Sequence, residues 1–181
     1  MNNSKNIDLK ELFIEGQQNH QKSNFTEALK IYEKILSLDP NHFEAIVFLG
    51  ILNAQTKKLA SAKELLEKAI KIKPEMSDLY NSLGLVHREM GNFEQSLNSF
   101  KKAININPKF SIAYNNLGIT YKDLDNIKEA EKNFYYSIEI DPNNSDPYNN
   151  LGLIYKDTNQ NDKAQKNFEK CLKINPKNLQ A

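Results

Sequence analysis

The sequence predicts an all-α solenoid of five helix–turn–helix repeats. Three observations carry this expectation. Five of the six prolines, Pro40, Pro74, Pro108, Pro142 and Pro176, stand 34 residues apart. Five of the six glycines, Gly16, Gly50, Gly84, Gly118 and Gly152, keep the same interval. Between these markers apolar residues recur at threes and fours and never alternate with period two, which supports helices and not strands. A fixed period of this size marks a stacked repeat architecture. The repeats are set at 9–42, 43–76, 77–110, 111–144 and 145–178, with 1–8 as a flexible N-terminal segment and 179–181 as a truncated or uncapped C-terminus.

Each repeat divides into two helices of roughly 14 residues, given the typical length of a globular helix. In the fourth, Ile112, Tyr114, Leu117, Gly118 and Tyr121 form the first apolar stripe. Ile127, Ala130, Phe134, Ile138 and Ile140 form the second. Polar turns separate the two, as at Met90–Asn92, Leu124–Asn126 and Thr158–Gln160. Asp8 with Glu11, and Asn41 with Glu44, read as N-caps carrying a carboxylate three residues on. The recurring proline ends the second helix, because it lacks an N–H and disfavours helix in the residue before it. A glycine inside a helix costs about 0.5–1 kcal/mol relative to alanine. Five glycines at one register therefore predict a neighbouring backbone too close for a Cβ. Ala28, Ala62, Ser96, Ala130 and Ala164 mark the facing position, and Tyr32, Leu66, Phe100, Phe134 and Phe168 fill the space between layers. Such a helix pair cannot bury both of its faces alone, so it must stack on its neighbours.

The series Tyr114, Leu117, Gly118, Tyr121, Ala130, Phe134 and Pro142 resembles the tetratricopeptide repeat family. Tyr148, Leu151, Gly152, Tyr155, Ala164, Phe168 and Pro176 repeat it in the fifth repeat. The resemblance covers nearly the whole chain. It departs at Leu12 and Glu15 in the first repeat, at His87, and at Asn161. It implies a right-handed superhelix whose concave surface is lined by the first helix of each repeat. The array is most similar to the arm of O-linked N-acetylglucosamine transferase-like and bacterial repeat-containing transferase proteins.

Composition limits the function. The chain has 181 residues, 24 Lys+Arg against 23 Asp+Glu, and a formal charge of +1. That balance argues against nucleic acid as the partner, since such modules carry a basic excess. One cysteine rules out an intramolecular disulfide framework and fits a reducing compartment. The longest apolar run, Ala45 to Leu52, is too short to span a membrane. No secretion signal is visible at the start. Together these favour the cytoplasm. No catalytic constellation stands out. His20, His42 and His87 occupy three unrelated repeat positions without metal-ligand spacing, and Cys171 takes a slot held by small or aliphatic residues. No cofactor or metal is expected, and the chain reads as a non-enzyme.

The candidate site lies on the first helices, off the core stripe. Asn81, Asn115, Asn116, Asn149 and Asn150 form an amide stripe, Leu85, Ile119 and Leu153 an aliphatic one, and Arg88, Lys122 and Lys156 a basic one. An acidic row of Glu89, Asp123 and Asp157 runs beside the last. Chance would place one or two asparagines among the ten slots of the amide stripe, and five stand there. An amide offers a donor and an acceptor together, which suits a peptide backbone. Asn116 and Asn150 match the asparagine ladder of the transferase arms. The N-terminal repeats differ: Phe13, Ile14, Val47, Phe48 and Ile51 read as an exposed apolar docking patch. The basic and amide residues by which relatives hold chaperone tails are replaced here by Phe13, Gln17, Phe48, Asp78 and Ser82, which argues against that ligand.

The expected function is protein–protein interaction, with an extended peptide segment bound in the concave groove. The alternative is the substrate-recruiting arm of a larger glycosyltransferase or sulfotransferase. Self-association, through an end or through the apolar patch, is a further expectation.

Overall fold

The computed structural model describes residues 8–177. Among them are ten helices and no strand: α1 (Leu9–Gln21), α2 (Phe25–Leu38), α3 (Phe43–Gln55), α4 (Leu59–Ile72), α5 (Ser77–Glu89), α6 (Phe93–Ile106), α7 (Ser111–Asp123), α8 (Ile127–Ile140), α9 (Asp146–Asp157) and α10 (Asn161–Ile174). The fold is an all-α solenoid of helix pairs. Of the segment expected to be flexible at 1–8, residues 1–7 lie outside the described residues, as do 179–181, and Asp8 is the N-cap of α1.

Local chemistry explains the element ends. Among the described residues, Ser23, Lys57, Gly91, Asp125 and Asn159 are those with positive φ, between 57° and 75°, and they recur at the 34-residue interval. Each closes a first helix in a left-handed turn. The next N–H then reaches back to a helix carbonyl, as in Asn92 N to His87 O at 2.8 Å and Gln160 N to Tyr155 O at 2.8 Å. At the end of each second helix the residue before the repeated proline adopts an extended backbone, as at Asp39 (φ −134°, ψ 93°) and Asn107 (φ −126°, ψ 93°). Asp8 caps α1, its carboxylate accepting from Lys10 N at 2.8 Å. The expected cap at Asn41 is corrected. His42 caps α3, its Nδ1 accepting from Ala45 N at 3.2 Å, while Asn41 N donates to Asp39 Oδ1 in the preceding turn.

The contacts divide the chain into two compact units, one ending at Glu75 and the other beginning at Met76. In the N-terminal unit α1 packs on α2, α2 on α3, and α3 on α4. Its core joins Ala28, Ile31, Tyr32 and Ile35 of the first repeat to Ala45, Leu49 and Leu52 of the second. In the C-terminal unit consecutive helices from α5 to α10 pack in order. One cluster joins Leu97 and Phe100 to Leu117, and another joins Ala130 and Phe134 to Leu151, Ile154 and Tyr155. Each of these clusters spans a repeat boundary. Stacking therefore supplies burial that a lone pair lacks.

The recurring glycines face a neighbouring helix, as expected, but the reason is corrected. A Cβ on Gly84 would meet the Phe100 ring at 2.7–2.9 Å, and one on Gly118 would meet Phe134 Cε1 at 2.7 Å. The close neighbour is thus a side chain of the second helix in the same repeat, not a backbone: an aromatic ring at Gly16, Gly84, Gly118 and Gly152, and Leu65 with Leu66 at Gly50. The glycine leaves the space that this side chain fills.

Candidate functional site

In the C-terminal unit α5, α7 and α9 lie side by side, α7 touching both of the others. Their inward stripes, Leu83, Leu117 and Leu151, are buried and orient the helices. Residues one or two positions away then meet the next first helix at the edge of the open face.

This places the amide stripe in two layers. Asn81, Asn115 and Asn149 are 9%, 6% and 6% exposed, and so lie within the protein rather than on its open face. That corrects the expectation that all five asparagines are available to a ligand. Asn116 and Asn150 stay half-buried at the edge. Asn116 Nδ2 donates to Asn81 Oδ1 at 3.0 Å, and Asn150 Nδ2 donates to Asn115 Oδ1 at 3.0 Å. Each bond links residues 35 apart, one repeat plus one position. Asn149 Oδ1 is buried and has no hydrogen-bond partner among the described residues.

The other predicted residues sort in the same way. Leu85 is 38% exposed, Leu153 is half-buried, and Ile119 packs partly against the cluster built from α8, α9 and α10. Ile112 on α7 is 53% exposed and adds apolar surface. The basic stripe is uneven. Arg88 Nε pairs with Asp123 Oδ2 at 2.6 Å, again across 35 residues, so its charge is met within the protein. Lys122 is half-buried and Lys156 exposed. Sequence reasoning named Asp123 as a neighbour of Lys122 and missed its pairing with Arg88. The signal was present as the offset of one repeat plus one.

The apolar patch of the N-terminal unit is smaller than expected. Phe13 and Phe48 pack edge to face with ring centroids 5.3 Å apart, and both lie about 6 Å from the Tyr32 ring. Both are partly buried against the core. Their large rings fill the space between α1 and α3, which removes much of their surface from solvent. Ile14 remains 43% exposed, while Val47 and Ile51 are half-buried. His20 sits on the same ring cluster, with its Nε2 2.8 Å from Gln55 Oε1. Its Nδ1 and the Tyr32 hydroxyl are buried without hydrogen-bond partners among the described residues. Desolvation raises the Tyr32 pKa to about 12. Tyr155 is also raised, first by burial and then by its hydroxyl contact with Tyr135 at 2.8 Å.

Among the described residues no group of three or more His, Cys, Asp or Glu could hold a metal ion. None of the described helices is long and apolar enough to cross a membrane.

Sequence models described as tetratricopeptide repeat match residues 20–84, 111–144 and 145–178, and one described as TPR repeat matches 84–125. No curated protein matches the chain's sequence. Solved structures similar in fold include the following three. A crystal structure of MamA is 26% identical, with 92% of this chain and 97% of that one covered and a TM-score of 0.75. TTC0263, a thermophilic TPR protein of Thermus thermophilus, is 21% identical, with 95% and 94% covered and a TM-score of 0.80. YrrB, described as a TPR protein with an unusual peptide-binding site, is 24% identical, with 96% and 89% covered and a TM-score of 0.68.

Proposed function

The chain belongs to the tetratricopeptide repeat family and is a protein–protein interaction module, and from that premise we propose that the face of α5, α7 and α9 takes an extended peptide segment. The observation that carries this reading is the pair Asn116 and Asn150. Both stay at the edge of the face while one N–H of each is engaged by the first helix of the preceding repeat. An amide with one N–H so used keeps its carbonyl oxygen and a second N–H for a ligand main chain. Neighbouring packed helices lie about 8–10 Å apart, and an extended chain advances about 3.3 Å per residue. Main-chain groups three residues apart on the ligand therefore suit the two amides. Leu85, Ile119 and Leu153 supply apolar contact, and Lys122 and Lys156 favour acidic groups on the ligand. A peptide ligand also agrees with the description of YrrB.

The five repeats at 9–42, 43–76, 77–110, 111–144 and 145–178 form the binding array in this reading. We assign it no catalytic role and place it in the cytoplasm, in keeping with its single cysteine. Its near-neutral charge favours protein over nucleic acid. Ile14, Val47 and Ile51 offer a secondary apolar contact, including one between two copies of the chain.

The test is a titration with a 12-residue peptide selected by the wild-type chain from a random displayed library. Asn116→Ala with Asn150→Ala weakens binding by roughly 1–3 kcal/mol, for two hydrogen bonds of about 0.5–1.5 kcal/mol each, read well below a melting temperature that itself falls because the buried carbonyls of Asn81 and Asn115 lose their donors. Unchanged affinity rejects this face as the site.

A further inference from the structure

We propose that the buried asparagines Asn81 and Asn115 are positioning residues that hold Asn116 and Asn150 in register for a bound main chain. The proposal rests on the peptide reading of this face. Its ground is the pairing itself: two buried acceptors each take a donor at 3.0 Å from the first helix of the following repeat. An exposed asparagine side chain samples several rotamers, and a ligand that needs one of them must order it on binding. Here the protein has already restricted the amide. One N–H is committed to the buried partner, which sets the plane of the group and the direction of its remaining N–H and carbonyl. The acceptors are well placed for this work, because their own burial between packed helices limits their motion. The same register in the N-terminal unit carries Phe13 and Phe48, which meet ring to ring and offer no polar group. Amide positioning is therefore confined to the C-terminal unit, and main-chain recognition is confined with it.

The consequence is that residues without access to the ligand control its affinity. The selected 12-residue peptide is titrated against four double variants, with melting temperature measured for each. Asn81→Leu with Asn115→Leu removes both acceptors while keeping similar bulk. Affinity falls about tenfold, and the side-chain amide signals of Asn116 and Asn150 in a nitrogen-labelled sample move toward the values of free asparagine. Asn81→Asp with Asn115→Asp restores an acceptor at each place, and affinity returns to within about threefold of wild type. Asn81→Ala with Asn115→Ala serves as a second acceptor-free variant if the leucine form does not fold. Asn116→Ala with Asn150→Ala tests the face itself.

If that last variant loses binding while the acceptor-free variants keep it, positioning is rejected and the peptide reading stands. If Asn116→Ala with Asn150→Ala binds as wild type does, the face is wrong and the proposal falls with it. The proposal is also overturned if the aspartate variant folds yet binds as weakly as the leucine variant, because lost packing then explains the effect. Failure of the wild-type chain to select any peptide overturns both.

Discussion

Asn116 donates its side-chain N–H to the carbonyl of Asn81 across 3.0 Å, and the two are separated by one repeat plus one residue. Arg88 with Asp123, Asn150 with Asn115, and His20 with Gln55 obey the same offset. Four cross-links thus join a first helix to the first helix of an adjacent repeat, one in the N-terminal unit and three in the C-terminal unit. The face proposed to bind a peptide rests on the cross-links of α5, α7 and α9.

Asn149 takes the position that Asn115 holds one repeat earlier. Its carbonyl is buried and unpartnered among the described residues, whereas Asn115 one repeat earlier is bonded. A buried unsatisfied polar group costs about 1–3 kcal/mol, so removing it offsets that cost. We expect Asn149→Leu to raise the urea midpoint and Asn115→Leu to lower it, each by the equivalent of about 1 kcal/mol. Equal shifts of the same sign would show that the unpaired carbonyl carries no penalty.

Gly84 and Gly50 share a register but not a neighbour. A Cβ on Gly84 would press into the fully buried Phe100 ring at 2.7–2.9 Å, while one on Gly50 meets Leu65 and Leu66 at 3.3–3.4 Å. Overpacking a rigid ring costs about 1–3 kcal/mol. The gain in helix propensity from glycine to alanine is about 1 kcal/mol. Gly84→Ala is therefore expected to destabilise by up to about 2 kcal/mol net, and Gly50→Ala to be neutral or slightly stabilising because leucine tips can move. Thermal denaturation of both variants decides it, and a stabilised Gly84→Ala would refute the ring contact.

Tyr32 introduces a pH dependence. Burial favours its neutral form and raises its pKa from 10.0 to about 12. Stability from this group is fully present below pH 10 and is lost as pH rises through 12, because the unfolded chain releases the proton first. A shift of this size corresponds to about 2–3 kcal/mol across that window. Tyr155, raised in the same direction, acts likewise. Tyr32→Phe puts at this register the residue already present at 100, 134 and 168, and removes a buried hydroxyl without a partner. We expect it to melt higher at pH 7 and to flatten the loss of stability between pH 10 and 12. A variant with an unaltered alkaline profile would assign that loss to other groups.

The 34-residue interval, the helix pairs and the layer of large side chains were all legible in the sequence. The reason is that stacking repeats one environment five times, and the same residue type returns wherever that environment is strict. Pro40 and its equivalents mark where backbone donors are absent, and Gly84 and its equivalents mark where a large side chain of the second helix needs room. Local rules apply to each of these residues separately, so no coordinates were needed to find them.

The site was legible only as a set of stripes. Helical spacing placed Asn81 beside Ser82 and Asn115 beside Asn116, but spacing within one helix does not say which neighbour a side chain meets. Packing of α5, α7 and α9 against one another decided that Asn81 and Asn115 turn inward and that Arg88 is neutralised by Asp123, and packing of α1 against α3 decided that Phe13 and Phe48 cover each other. These outcomes depend on which two helices share an edge. That relation joins residues 35 apart, and it exists only once the chain has stacked.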